Sequence, residues 1–73
     1  MAAEGGSGRY VIALQSVPVG GRLKLTNDAI VEVIENPADG YWVLARYVFF
    51  PADASREGTE EMIFVYDVAE ELG

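Results

Sequence analysis

From Arg9 onward the chain consists of short segments rich in apolar, β-branched and aromatic residues, which is typical of β-strands, and apolar and polar residues alternate most clearly at Arg22–Thr26. Gly, Pro, Asn and Asp separate these segments and predict turns between them. The pattern predicts five strands, namely Tyr10–Gln15, Arg22–Thr26, Ala29–Glu35, Tyr41–Phe50 and Glu61–Tyr66. The last segment, Asp67–Leu72, suits either one helical turn capped by Asp67 or the end of the fifth strand.

Five short strands with short connections predict a mainly β fold. We expect a small five-stranded antiparallel, partly open barrel of SH3-like type, the alternative being a curved antiparallel sheet closed by dimerisation. The Gly-rich residues 1–8 predict a flexible tail, and residues 9–73 predict a single small β domain. A domain this short is marginally stable alone, and without cysteine it has no disulfides. Association with another chain is therefore the expected reinforcement.

The segment Tyr41–Phe50 is unusual because nine of its ten residues are apolar or aromatic, and the tenth is Arg46. Both faces of this strand therefore carry large apolar side chains. The turn at Asn36–Gly40 predicts a hairpin register in which Glu35 faces Tyr41 and Val33 faces Val43. One face of this hairpin then carries Val31, Val33, Tyr41, Val43, Ala45, Tyr47 and Phe49. The other face carries Ile30, Glu32, Ile34, Trp42, Leu44, Arg46, Val48 and Phe50.

The first of these faces is small, branched and uncharged, as a barrel interior requires. The second is bulkier, with an arginine at its centre, which is the composition of an interaction surface. We expect it to be buried against a second copy or another protein, through the candidate interface residues Ile30, Ile34, Trp42, Leu44, Arg46 and Phe64. The alternative is that the N-terminal strand and Val68–Leu72 fold over this face.

The charge of the chain limits the partners that we expect. The formal net charge is −7, and the five Lys and Arg residues are scattered rather than gathered in a basic stripe. Nucleic acid and anionic membranes are therefore not expected as partners. The absence of cysteine fits a cytoplasmic location, and no apolar run is long enough to span a bilayer.

Residues with catalytic chemistry are scarce. The chain has no histidine and no cysteine, and its Ser, Lys and carboxylate residues form no recognisable acid–base or metal-ligand pattern. We therefore expect no enzymatic activity, no cofactor and no metal. The favoured function is a non-enzymatic protein-interaction or assembly module, with a homodimer as its expected form. The alternatives are an accessory or regulatory subunit of a larger enzyme complex and a small-molecule-binding barrel.

Overall fold

The computed structural model describes residues 12–73, and these form one antiparallel sheet of five strands. The strands are β1 (Arg22–Leu25), β2 (Ile30–Glu35), β3 (Trp42–Phe49), β4 (Glu60–Phe64) and β5 (Val68–Glu71). Short 3₁₀ turns lie at Leu14–Ser16, Ala54–Arg56 and Val65–Asp67. The sheet is not closed, so the predicted mainly β, five-stranded, partly open fold is confirmed.

The order of strands across the sheet is β4-β3-β2-β1-β5. The first four strands form a meander, in which each strand pairs with the next along the chain. The fifth pairs with β1, at the edge farthest from β4. Only the 3₁₀ turn Val65–Asp67 separates β4 from β5 along the chain. A connection this short requires the two edges to lie close together, so the sheet must curl strongly.

The core lies on the concave side of this curled sheet. Alternate residues of the strands point into it, as the burial of Leu23, Val31 and Val43 shows. The segment before β1 adds Leu14 and Val17, which are also buried. The full set of buried residues is Leu14, Val17, Leu23, Leu25, Ala29, Val31, Val33, Val43, Ala45, Tyr47, Phe50, Ile63 and Val68.

The predicted first strand is wrong over the residues that the structure describes. Ile12 and Ala13 belong to no strand, and Leu14–Ser16 is a 3₁₀ turn. This turn brings Leu14 and Val17, three residues apart, onto the same side, where both enter the core. The side-chain amide of Asn36 holds the segment by donating to the backbone oxygens of Leu14 and Val17, each at 2.9 Å. Residues 1–11, which include the predicted tail and the start of the predicted strand, lie outside the described residues.

The fifth strand of the sheet comes instead from the C-terminal segment. Val68 pairs with Leu25, and Glu70 pairs with Lys24. The helical turn considered for Asp67–Leu72 is displaced toward the N-terminus, because the 3₁₀ turn occupies Val65–Asp67 and an extended strand follows it.

The β2–β3 hairpin has the predicted turn but a different register. Asn36 Oδ1 accepts from Ala38 N, and Asp39 Oδ1 accepts from Tyr41 N, so side chains shape the turn. Along the strands, Val33 pairs with Ala45 rather than with Val43, a displacement of two residues. Because side chains alternate with a period of two, this displacement leaves the central residues on their predicted faces.

The predicted faces fail only at the ends of the long strand. The register shifts between Ile30 and Val31, where one extra residue of β3 forms a bulge. Beyond the bulge Phe49 is 47% exposed while Phe50 is buried, the reverse of the prediction. At the other end Tyr41 precedes the strand and is exposed.

Candidate protein-interaction surface

The outer face of the sheet is the side of β1–β4 that points away from the core. Its residues alternate with the buried ones and are either half-buried or exposed. They are Arg22, Lys24, Ile30, Glu32, Ile34, Glu35, Trp42, Leu44, Arg46, Val48, Phe49, Glu60, Met62 and Phe64. The six candidate interface residues Ile30, Ile34, Trp42, Leu44, Arg46 and Phe64 therefore all lie on one face.

One end of the outer face is apolar. Trp42 pairs directly with Phe64, and Leu44 pairs directly with Met62. Directly opposed residues of antiparallel strands have Cβ atoms about 4.5–5.5 Å apart, so these four side chains adjoin one another. A bulge in β2 places Ile34 beside Leu44. We call Ile34, Trp42, Leu44, Met62 and Phe64 the apolar patch; Met62 and Phe64 are its most accessible members, at 46% and 41% exposed.

Next to the apolar patch, charged residues cross the sheet in a line. Arg22 pairs with Glu32, Glu32 with Arg46, and Arg46 with Glu60. The signs therefore alternate from β1 to β4 as plus, minus, plus, minus. Within the line, Arg46 Nη2 lies 3.3 Å from Glu60 Oε2. We call these four residues the charge row.

Sequence reasoning found only part of this surface. It placed Glu32 and Arg46 as diagonal neighbours, whereas the structure pairs them directly. It grouped Met62 with Phe64 on one side of the last strand but left Met62 out of the candidate interface. It missed Glu60, because the position of Glu60 depends on how β4 pairs with β3. Those strands are joined by a polar loop, Pro51–Thr59, rather than by a tight turn that dictates the register.

The described parts of the chain do not cover the outer face. The alternative in which Val68–Leu72 folds over it is wrong, because β5 lies in the plane of the sheet beside β1. The N-terminal residues Leu14 and Val17 pack into the core on the opposite side. No segment of residues 12–73 packs over the apolar patch, so this part of the chain leaves it accessible to another chain.

A second feature lies between β4 and the C-terminal end of β1, beside the turn Val65–Asp67. A cleft of about 240 Å³ there is lined by Leu25, Thr26, Asn27, Tyr47, Glu61, Met62, Ile63 and Asp67. Its volume is below the roughly 300–1,000 Å³ of typical small-molecule sites. Two of its polar residues, Tyr47 and Glu61, belong to a contact network that joins the edge strand β4 to β3 and to the loop after β3.

Tyr47 is the centre of that network. Its hydroxyl donates to Glu61 Oε1 at 2.9 Å, and Arg56 Nη2 donates to the same oxygen at 2.9 Å. The Arg56 guanidinium also lies over the rings of Tyr47 and Phe50, 5.6 and 5.3 Å from their centres. Burial raises the pKa of the Tyr47 hydroxyl, and its hydrogen bond to the Glu61 carboxylate raises the pKa further. The hydroxyl is therefore protonated at neutral pH and acts as a donor that holds β3 to β4.

Within residues 12–73, no cluster of three or more His, Cys, Asp or Glu side chains is arranged to hold a metal ion. No helix in the same part of the chain has the length and apolar character needed to cross a membrane.

Comparisons of the chain with protein-family models, with curated proteins and with solved structures found no match.

Proposed function

We propose that the protein is a non-enzymatic interaction module whose outer face binds another protein chain, with self-association as its expected form. The observation that carries the proposal is the apolar patch, five adjoining apolar side chains on the side of the sheet that residues 12–73 leave uncovered. Burying apolar surface contributes about 25 cal/mol per Å², which favours association. Contiguous apolar patches larger than a few hundred Å² are uncommon on monomers that work alone.

The residue types on this face support the same proposal. Interfaces are enriched in aromatic residues, Met and Arg, and their binding energy concentrates in Trp, Tyr and Arg side chains. Trp42, Met62 and Arg46 supply these types on adjacent strands. A cytoplasmic location, which the cysteine-free sequence favours, is part of the proposal.

A small-molecule-binding barrel is the weaker alternative. The interior of the curled sheet is filled by the side chains of its own strands, as is usual for small barrels. The cleft beside Tyr47 is small, and the Glu61 carboxylate in its wall already accepts from the Tyr47 hydroxyl and the Arg56 guanidinium.

The test is the assembly state of three proteins measured by sedimentation velocity from about 1 µM to about 500 µM, the range of a weak interface. The wild-type chain should self-associate. Met62→Glu adds a charge to the apolar patch and should remain monomeric; since Met62 is 46% exposed, the variant should still fold. Tyr66→Glu adds the same charge at a side chain that is 81% exposed and outside the patch, and it should assemble like the wild type.

Trp42 gives a second, independent readout because it is the single tryptophan of the chain. Its fluorescence should shift to shorter wavelength as the wild-type concentration rises, and it should become less accessible to acrylamide. Met62→Glu should show neither change. A wild-type protein that stays monomeric over the whole range, or a Met62→Glu variant that assembles like it, would contradict the proposal.

A further inference from the structure

The charge row has a symmetry that the apolar patch lacks. Read from β1 to β4, its signs are plus, minus, plus, minus; read from β4 to β1, they are minus, plus, minus, plus. A copy of the row placed against itself in reverse order therefore opposes every charge with one of the opposite sign. In the same order it opposes every charge with its like.

We propose that the partner of the outer face is a second copy of this chain, related by a twofold axis that runs parallel to the strands between β2 and β3. This inference rests on the proposed function and specifies its partner. Such an axis reverses the order of strands, so that Arg22 faces Glu60 of the second copy and Glu32 faces Arg46 of the second copy. The contact is isologous, as in most homodimers.

The competing twofold axis, perpendicular to the strands and in the plane between the sheets, is unfavourable. It keeps the order of strands, so that when it passes through the charge row each residue of the row faces its own copy. Four like-charge contacts would then form in a partly desolvated layer, where like charges in opposition cost several kcal/mol. Of the two in-plane axes that lay one charge row over the other, only the axis along the strands opposes unlike charges.

The apolar patch is consistent with the same axis. Rotation about an axis along the strands leaves each residue at its own level along the strand direction. Leu44 of β3 therefore faces the bulge at Ile34 of the partner's β2, while Met62 and Phe64 of β4 lie opposite the chain just before the partner's β1. Packed sheets lie about 10 Å apart and cross at roughly 30°. The row spans only about 14 Å across four strands, so this crossing keeps opposed charges near one another.

The cost of desolvating the charge row is limited by its neighbours. Each charge already has an opposite charge on the adjacent strand, and Arg46 is ion-paired with Glu60. In the dimer each charge gains another opposite charge from the facing copy, which offsets part of the desolvation. With about a dozen side chains a copy, the face is smaller than the 20–30 residues of a standard interface, so we expect a micromolar dissociation constant.

The test is a charge exchange between two variants. Glu32→Arg alone places a second guanidinium opposite Arg46 of the facing copy, and Arg46→Glu alone places a second carboxylate opposite Glu32. Each variant alone should dimerise about tenfold to hundredfold more weakly than the wild type. When the two variants are mixed, every opposed pair across the axis is again plus against minus. Native mass spectrometry of the mixture should show a heterodimer at concentrations where each variant alone is a monomer.

A second pair of variants, at the ends of the charge row, keeps the test valid if Glu32→Arg or Arg46→Glu fails to fold. Arg22 and Glu60 are both exposed, and Arg22→Glu mixed with Glu60→Arg should restore pairing in the same way. Glu71→Arg is the matched control, since it changes the net charge by the same amount as Glu32→Arg but lies on β5, outside the row. It should dimerise like the wild type. Circular dichroism of each variant checks that the sheet is retained.

The outcomes separate this inference from the proposed function. A dimeric wild type whose mixed variants form no heterodimer in either exchange would overturn the twofold arrangement and leave the interaction face intact. A wild type that is monomeric at all concentrations would overturn both. Weaker dimers of the single variants and heterodimers in both exchanges, with an unaffected Glu71→Arg control, would support the arrangement. If the strands met in the same order, each residue would face its own copy, and a change of sign in a single variant would leave the number of like-charge contacts unchanged.

Discussion

At the scale of single residues, the Tyr47 hydroxyl shows how side chains hold the edge strand β4 to β3. The ring is buried in the core, while the hydroxyl reaches the surface and donates to Glu61. Arg56 covers the ring and bonds to the same carboxylate, so one side chain from the loop joins one from β3 and one from β4. A hydrogen bond to a charged group is worth about 1.5–3 kcal/mol.

We expect Tyr47→Phe to lower the free energy of unfolding by about 1–2 kcal/mol at neutral pH, since Glu61 is partly exposed and water replaces some of the lost bond. The folded-state pKa of Tyr47 is raised above its unfolded value of about 10. The stabilisation is therefore complete below pH of about 10 and declines as the pH rises through the folded pKa.

Urea unfolding at a series of pH values measures this difference. The difference in the free energy of unfolding between wild type and Tyr47→Phe should be constant near neutral pH and should decrease toward zero in alkaline solution. Tyr66→Phe is the matched control, because it removes the hydroxyl of an exposed tyrosine and should leave stability unchanged at neutral pH. A gap that widens with rising pH would contradict the role given to the Glu61 bond.

At the scale of elements, the segment before β1 contributes to the core without joining the sheet. Leu14 is fully buried, and Asn36 ties the 3₁₀ turn Leu14–Ser16 to the start of the β2–β3 turn. The bond links residues that are 22 positions apart in the chain. The segment thus fills part of the core of the curled sheet with its side chains and does not pair with a strand.

Leu14→Ala should therefore lower the free energy of unfolding by about 2–5 kcal/mol, the range for large-to-small changes in a packed core. Val19→Ala, five residues later, removes an apolar side chain that is 66% exposed and should change stability by less than about 0.5 kcal/mol. Chemical denaturation of both variants measures the contrast. Equal effects of the two substitutions would show that the segment does not pack as described.

At the scale of the whole molecule, folding and association are linked through the outer face. A partner that binds the folded chain but not the unfolded chain stabilises the folded state, and in a self-associating protein the stabilisation depends on protein concentration. The small size of the domain makes the effect easy to detect, because 1 kcal/mol shifts Tm by about 4–8 °C.

We therefore expect the Tm of the wild-type chain to rise by about 3–5 °C for each tenfold increase in concentration above the dissociation constant. Differential scanning calorimetry at several concentrations measures it. Met62→Glu, as a monomer, should melt at one temperature regardless of concentration. A wild-type Tm that does not depend on concentration would contradict self-association.

Local patterns in the chain were sufficient for the meander and for its faces. Three local signals predict the meander: the alternation in β1, the apolar and β-branched runs of β2 and β3, and the turn residues at Asn27–Asp28 and Asn36–Gly40. All of them depend only on near neighbours in the chain. The hairpin register was wrong by two residues, yet the candidate interface survived because an even displacement preserves the faces. The bulge that exchanges Phe49 and Phe50 has no signal in the alternation, since both residues are large and apolar.

The pattern of residues along the chain was enough to predict the mainly β class, the positions of β1–β3 and the common face of the six interface candidates. It was enough because the two-residue period of a strand is a local property. Folding in three dimensions established which segment supplies the fifth strand, how β4 pairs across the loop Pro51–Thr59, and hence that four charges align in one row. These features depend on contacts between distant segments that compete for the same edge and the same core. The 3₁₀ turn buries both Leu14 and Val17 in the core, and the edge of β1 pairs with Val68–Glu71 instead.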